Sequence, residues 1–181
     1  MKRISFVGLV LLLLTASNAL NAWGQKVSVD FDREANFTAY KTYGWAQGTP
    51  AQNPLMDQRI TNGIDNRLAA KGLQKVDASA NPDLIVLYHA AVGTETQINT
   101  MNTGGYGWGY RWGGPMGTTM TTVEKIPTGQ LTVDIGDTKS KKLLWMGNAK
   151  DTLSDKPEKN EKKINNALDK MFKKFPPPVK K

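Results

Sequence analysis

Apolar and polar residues alternate from Val27 to Asp32, with Val27, Val29 and Phe31 on one face and Ser28, Asp30 and Asp32 on the other. A period of two is that of a half-buried strand. Asn36 is placed to cap a short turn through Tyr40, and Thr42–Ala46 reads as a second strand. After a polar Gly/Pro-containing loop, Gln47 to Pro54, the period lengthens. Met56, Ile60, Ile64 and Leu68 recur every fourth residue and predict one apolar helical stripe from Leu55 to Lys71. Gly72 stands where a helix takes its C-terminal cap, while Gly63 inside the helix costs about 1 kcal/mol relative to alanine. A brief strand, Leu73–Val76, and an Asn81-Pro82-Asp83 turn lead to Leu84–Val92, apolar on both faces as in a central strand.

Gly93–Asn102 and Thr118–Glu124 are threonine-rich and keep strand propensity. Between them lies a glycine and aromatic segment, Gly104–Gly117. The three pieces predict a two-stranded arm over residues 93–124 with a flexible tip. Leu131, Val133 and Ile135 then alternate with polar residues, and Lys142–Lys150 is strand-like again. Ser154 or Asp155 is expected to cap a last helix with Pro157 in its first turn. Its inward stripe is Ile164, Leu168, Met171, Phe172 and Phe175, and Pro176–Pro178 stops it before a tail over 176–181. Strand-strand-helix, four strands and a helix predict an α+β two-layer sandwich: a mostly antiparallel sheet, two amphipathic helices on one face, and a protruding Gly/aromatic-tipped hairpin.

The start of the chain changes the picture. Met1-Lys2-Arg3 precedes an apolar run from Ile4 to Leu14, and Ala22-Trp23-Gly24 offers a small-x-small cleavage site. This is the order of a secretory signal peptide over residues 1–24, and the run is too short to span a bilayer. The expected mature chain, residues 25–181, is a single domain without a transmembrane span. Its place would be the periplasm or the outer-membrane surface, and the net charge of +8 falls to +6 with Lys2 and Arg3 gone. The chain contains no cysteine. That excludes disulfides, thiol catalysis, cysteine zinc sites and an acylated lipobox cysteine. The basic residues concentrate between Lys139 and Lys181, which reads as a solvated basic face; a site for an acidic envelope polymer is the alternative.

Several short elements resemble a bacterial envelope family of lipoprotein-like chains, domain of unknown function 4136. They are Val29-Asp-Phe-Asp32, Phe37-x-x-Tyr-Lys-Thr-Tyr-Gly-Trp45, Lys71-Gly-Leu73, Pro82-Asp-Leu84, Gly129-x-Leu-x-Val-Asp134, Leu144-Trp-x-Gly147 and Phe175-Pro-Pro177. The resemblance implies export, envelope residence and an α+β domain, and brings no activity or cofactor with it. Many members look lipidated, whereas this chain lacks the cysteine for it.

Candidate chemistry is sparse. Tyr106, Trp108, Tyr110 and Trp112 recur at every second residue, with Arg111 among them. In an extended ribbon the rings share one face, suited to stacking on sugars, entering a lipid interface or engaging a protein. A self-packed loop tip is the alternative, since glycine makes the segment costly to order. His89, the only histidine, is read as structural. The Asp30/Asp32 and Asp134/Asp137 pairs are read as solvent-facing or turn carboxylates. An envelope hydrolase using Asp30, Asp32, Asp134 or His89 is the rival, and it requires at least two of these to converge in one pocket with a perturbed carboxylate. Gly105-Tyr-Gly-Trp-Gly109 lacks the lysine and the spacing of nucleotide-binding loops. No cofactor, metal or nucleic acid is expected. The reading is a non-enzymatic binding or assembly module whose partner is an envelope polymer, a lipid surface or another protein.

Overall fold

The structure, a computed structural model, describes residues 25–103 and 118–177. Six strands form one sheet in the order β1-β6-β5-β4-β2-β3: β1 (Lys26–Phe31), β2 (Thr42–Trp45), β3 (Gln74–Lys75), β4 (Leu84–Thr103), β5 (Thr118–Asp137) and β6 (Leu143–Thr152). The β1-β6-β5-β4 ladder is antiparallel, whereas β2 runs parallel to both β4 and β3. Two helices, α1 (Pro54–Ala70) and α2 (Pro157–Phe172), cover one face. The architecture is the predicted α+β sandwich.

Alternation decides which side of each strand meets the helices. Val27, Val29 and Phe31 of β1, Leu84, Val86 and Tyr88 of β4, Leu131, Val133 and Ile135 of β5, and Trp145 of β6 build the core with Ile60, Ile64, Leu68, Leu168, Met171 and Phe172. Tyr43 is buried and Trp45 half-buried against the same core. The helix stripes predicted from four-residue spacing are the stripes the helices bury. Lys71 and Gly72 end α1 with a Schellman arrangement: Gly72 at φ 84° donates to the Ala69 carbonyl, and Leu73 N–H reaches the Leu68 carbonyl at 3.1 Å.

Two local expectations are corrected. The N-cap of α2 is Lys156, not Ser154 or Asp155. A residue before proline is pushed to extended backbone, and Lys156, at φ −95° and ψ 112°, is the residue that Pro157 holds outside the helix. The segment from Thr118 to Asp137 is one strand, not two, despite Pro127 within it. The Pro127 carbonyl accepts from Leu153 N–H, on the β6 side, beyond the last β5–β6 pair at Thr128 and Thr152. The missing proline N–H therefore faces a position where no strand continues, which a sheet tolerates. β4 and β5 pair from Leu84/Asp137 out to Thr103/Thr118, and their outer halves extend past both helices.

The helices lie side by side and run in the same direction, joined by Arg59–Glu161 at 3.1 Å and Arg67–Asp169 at 2.8 Å. They come closest at Gly63, where an added Cβ would stand 2.7 Å from Leu168 Cδ1.

Candidate functional site

Toward the arm, the inward row of each central strand shrinks. On β4, Leu84, Val86 and Tyr88 give way to Ala90; on β5, Ile135, Val133 and Leu131 to Gly129; on β6, Trp145 leads through Gly147 to Ala149. On α2, Ala167 faces the same region. Small residues replace the larger inward ones here, with Leu153 packed over Gly129. The result is a slot of about 570 Å³ between sheet and helices, within the range of small-molecule sites.

The slot runs across the strands from Gln25, just before β1, to the Thr49–Asn53 loop beyond β4. Met56 and Ile60 of α1 and Ile164 of α2 line its roof, with Ala90, Leu131 and Ala149 on its floor. Several polar groups at its ends are engaged with one another, while Gln25 Oε1 is buried without a partner among the described residues. Lys163 Nζ contacts Asp151 Oδ1 at 3.1 Å, the Thr152 carbonyl at 2.7 Å and Thr152 Oγ1 at 2.9 Å. Gln25 Nε2 donates to the Lys163 carbonyl at 2.7 Å. Asn160 holds both Ser154 N–H and the Ser154 carbonyl, and Asn53 caps α1 by accepting from Leu55 and Met56 N–H.

The wall on the α1 side is fixed by two carboxylates. Asp57 Oδ1 accepts from Tyr88 O–H and from Ala51 N–H; burial and then the Asp57 hydrogen bond push the Tyr88 hydroxyl up to about 12. Asp65 Oδ1 accepts from Tyr43 O–H at 2.8 Å and Trp45 Nε1–H at 2.9 Å, and Oδ2 from Lys75 at 2.8 Å. Burial raises the Asp65 carboxyl, but these hydrogen bonds and the Lys75 charge outweigh it and leave it below the ordinary carboxylate range.

The other sheet face holds the rival set: Asp134 and His89 are diagonal neighbours there, while Asp30 and Asp32 stand apart from them. Asp30 lies opposite Met146, and Met146 opposite Asp134. A whole strand thus separates the two carboxylates, about 10 Å at ordinary strand spacing. His89 pairs with Thr132, one position from the Leu87/Asp134 pair, and its Nδ1 meets Thr49 Oγ1 at 2.8 Å. Asp32 Oδ1 accepts from Glu34 N–H in the turn after β1. Asp137 serves the turn before β6, taking Ser140 N–H and Tyr40 O–H. Burial pushes the Asp134 carboxyl up, against the pull of His89, and Oδ1 has no partner among the described residues. None of Asp30, Asp32, Asp134 and His89 lines the slot, and no group of three potential metal ligands occurs among the described residues. Tyr106, Trp108, Tyr110, Arg111 and Trp112 lie outside the described residues, as does the segment 1–24.

A family model for a domain of unknown function, DUF4136, matches residues 27–177. The chain belongs to this family. No curated protein matches the sequence. Among solved structures, a PDZ domain protein from Parabacteroides distasonis is similar at 16% identity and a TM-score of 0.55, over 85% of this chain and 36% of that one. The DUF4136 chain thus spans about a third of that protein's length, and the likeness shows the fold alone. A PelC dodecamer from Paraburkholderia phytofirmans is similar at 15% identity and a TM-score of 0.45, over 82% of this chain and 98% of that one. A neuraminyllactose-binding hemagglutinin homolog from Helicobacter pylori follows at 11% and 0.39, over 76% and 87%. No described helix is long and apolar enough to cross a membrane.

The slot is what sequence reasoning missed. Its signal was present as small residues, Ala90, Gly129 and Ala149, at successive inward positions of three neighbouring strands. Only the strand register shows that Ala90 and Ala149 flank Leu131 on either side, with Gly129 one row further toward the arm.

Proposed function

We propose that this DUF4136 protein is exported to the cell envelope and acts there as a non-enzymatic binding module that takes an apolar ligand into the slot between helices and sheet. The observation that carries the reading is the slot itself: an interior bounded by Met56, Ile60, Ala90, Leu131, Ala149 and Ile164, polar ends engaged with one another apart from Gln25 Oε1, and no catalytic constellation among its lining residues. The leader-like residues 1–24 and the basic mature charge support the envelope address. Titrating the protein with the environment-sensitive fluorophore 1-N-phenylnaphthylamine tests the binding role, with saturable enhancement expected. Cell fractionation with and without residues 1–24 tests the address.

A second reading concerns the arm. Ile98 and Val123 pair directly across β4 and β5 and are 66% and 58% exposed, and a two-stranded ribbon gains little stability alone. The arm, with the aromatic segment 104–117 at its end, then serves as a contact for an envelope polymer, a lipid surface or a protein. Deleting residues 104–117 is expected to leave the fold intact and reduce envelope retention. Unchanged partitioning counts against this reading.

A further inference from the structure

We infer that the ligand of the slot is a single unbranched alkyl or acyl chain, the tail of a fatty acid or of a membrane lipid; this rests on the reading of the slot as a binding site. Three features of the lining select this class. First, the side chains that bound its interior are aliphatic: Met56, Ile60, Ala90, Leu131, Ala149 and Ile164. The buried aromatic residues of the core, Phe37, Tyr43, Tyr88, Trp145, Phe172 and Phe175, do not line the slot, although Tyr88 lies next to it on β4. A planar ring ligand finds no ring to stack on there. Second, sugars and peptide backbones need arrays of unspent donors and acceptors. Here Lys163, Asn160 and Gln25 Nε2 donate to protein groups, and the buried lining atom left without a partner among the described residues is Gln25 Oε1, one acceptor and not an array.

Third, the slot is elongated across the strands. It reaches from Gln25 at the start of β1 to Ala90 and Ala91 of β4, three strand spacings or on the order of 14 Å. Its height is that of the missing side chains over Ala90 and Ala149. Val92, 61% exposed, lies at the arm-side end of the lining, so a longer chain leaves the slot over an apolar surface. A linear chain matches this shape without bending.

The test is displacement of 1-N-phenylnaphthylamine from the purified protein by n-alkanols and n-alkanoates of increasing length, below their micellar concentrations. Affinity is expected to rise about fourfold per methylene while the chain is being buried, then to level off once the chain outgrows the slot. Lysophosphatidylcholine is the arm that distinguishes a lipid tail from a free acid: displacement by it assigns a membrane lipid, and displacement by alkanoates alone assigns the acid. Ala149→Leu and, independently, Ala167→Leu fill the slot and are expected to weaken chain binding by at least about tenfold, with folding checked by circular dichroism. Bound fluorophore that resists every alkyl chain, or yields equally to ring compounds with no dependence on chain length, overturns the inference and leaves the slot a binding site. Absence of fluorophore binding overturns the binding-site reading itself.

Discussion

Removing the Asp65 carboxylate tests whether the α1 side of the sandwich is held by hydrogen bonds or only by packing. Asp65→Ala leaves Tyr43 O–H, on a residue 1% exposed, and Trp45 Nε1–H, on a half-buried one, without their acceptor. An orphaned buried donor costs about 1–3 kcal/mol. The Tyr43 hydroxyl belongs near the middle of that range, and the indole near its lower end because water reaches it. Lys75, whose side chain is 52% exposed, adds at most about 1 kcal/mol. The expected loss is therefore about 3 kcal/mol, read as a shift of the urea midpoint at constant slope. In a Tyr43→Phe background one orphan no longer arises, so Asp65→Ala is expected to cost about 1–2 kcal/mol less there. The pH dependence has a definite sign. Because folding lowers the Asp65 carboxyl below its unfolded value of about 3.9, its contribution is present above that pH and fades as pH falls through the folded value. Asp65→Asn should therefore lag the parent at pH 7 and approach it near pH 3. Equal losses in both backgrounds, or a total below about 1 kcal/mol, would refute the assignment.

Other perturbations probe separate parts of the molecule. Asp134→Asn is expected to stabilise the protein at pH 7 by up to about 1 kcal/mol, since the side chain is half-buried and Oδ1 has no partner. Because folding raises this carboxyl, the advantage should shrink as pH falls through its folded value, and thermal melts across pH measure it. At the helix crossing, Gly63→Ala is expected to be near neutral, its helix propensity offsetting a shift of the flexible Leu168 end, whereas Gly63→Val should destabilise by about 2 kcal/mol in urea. Ile98→Thr with Val123→Thr should change stability by less than about 0.5 kcal/mol. If the arm is an interface, the same change lowers association in size-exclusion chromatography with light scattering.

Much of the sandwich was legible because its core follows simple periods. Alternation places Val27, Val29 and Phe31 inward on β1, and four-residue spacing places Ile60, Ile64 and Leu68 inward on α1. Strand order was not legible, since nothing local tells β1 to pair with β6 or β2 to lie parallel to β4. Thr118–Glu124 and Leu131–Ile135 read as separate pieces, yet they form one strand because β6 pairs only as far as Thr128 and leaves Pro127 tolerated, and sequence does not show where β6 ends. The carboxylates were legible as residues but not as partners. Asp57 and Asp65 appeared only as polar helix positions, yet they reach Tyr88, Tyr43 and Trp45 across the layer boundary.

The slot joins these observations into one physical consequence. A sandwich of this composition had the means to close, since larger residues at Ala90, Ala149 or Ala167 would bury further apolar surface at roughly 0.8 kcal/mol per methylene. Instead, small inward residues on three adjacent strands and Ala167 on the helix above them leave the arm-side half open. An open apolar interior forgoes that burial in the empty protein, and an apolar ligand restores it on binding. Ligand binding and folding are then linked: whatever occupies the slot raises the melting temperature in proportion to the logarithm of its concentration above the dissociation constant. The arm leaves the sheet at the same end, through Val92 and Gly129, so any contact made along it lies beside the mouth of the slot. On the proposed reading, capture and docking share one end of the molecule, while the far end is closed by the packed rings of Trp145, Phe172 and Phe175.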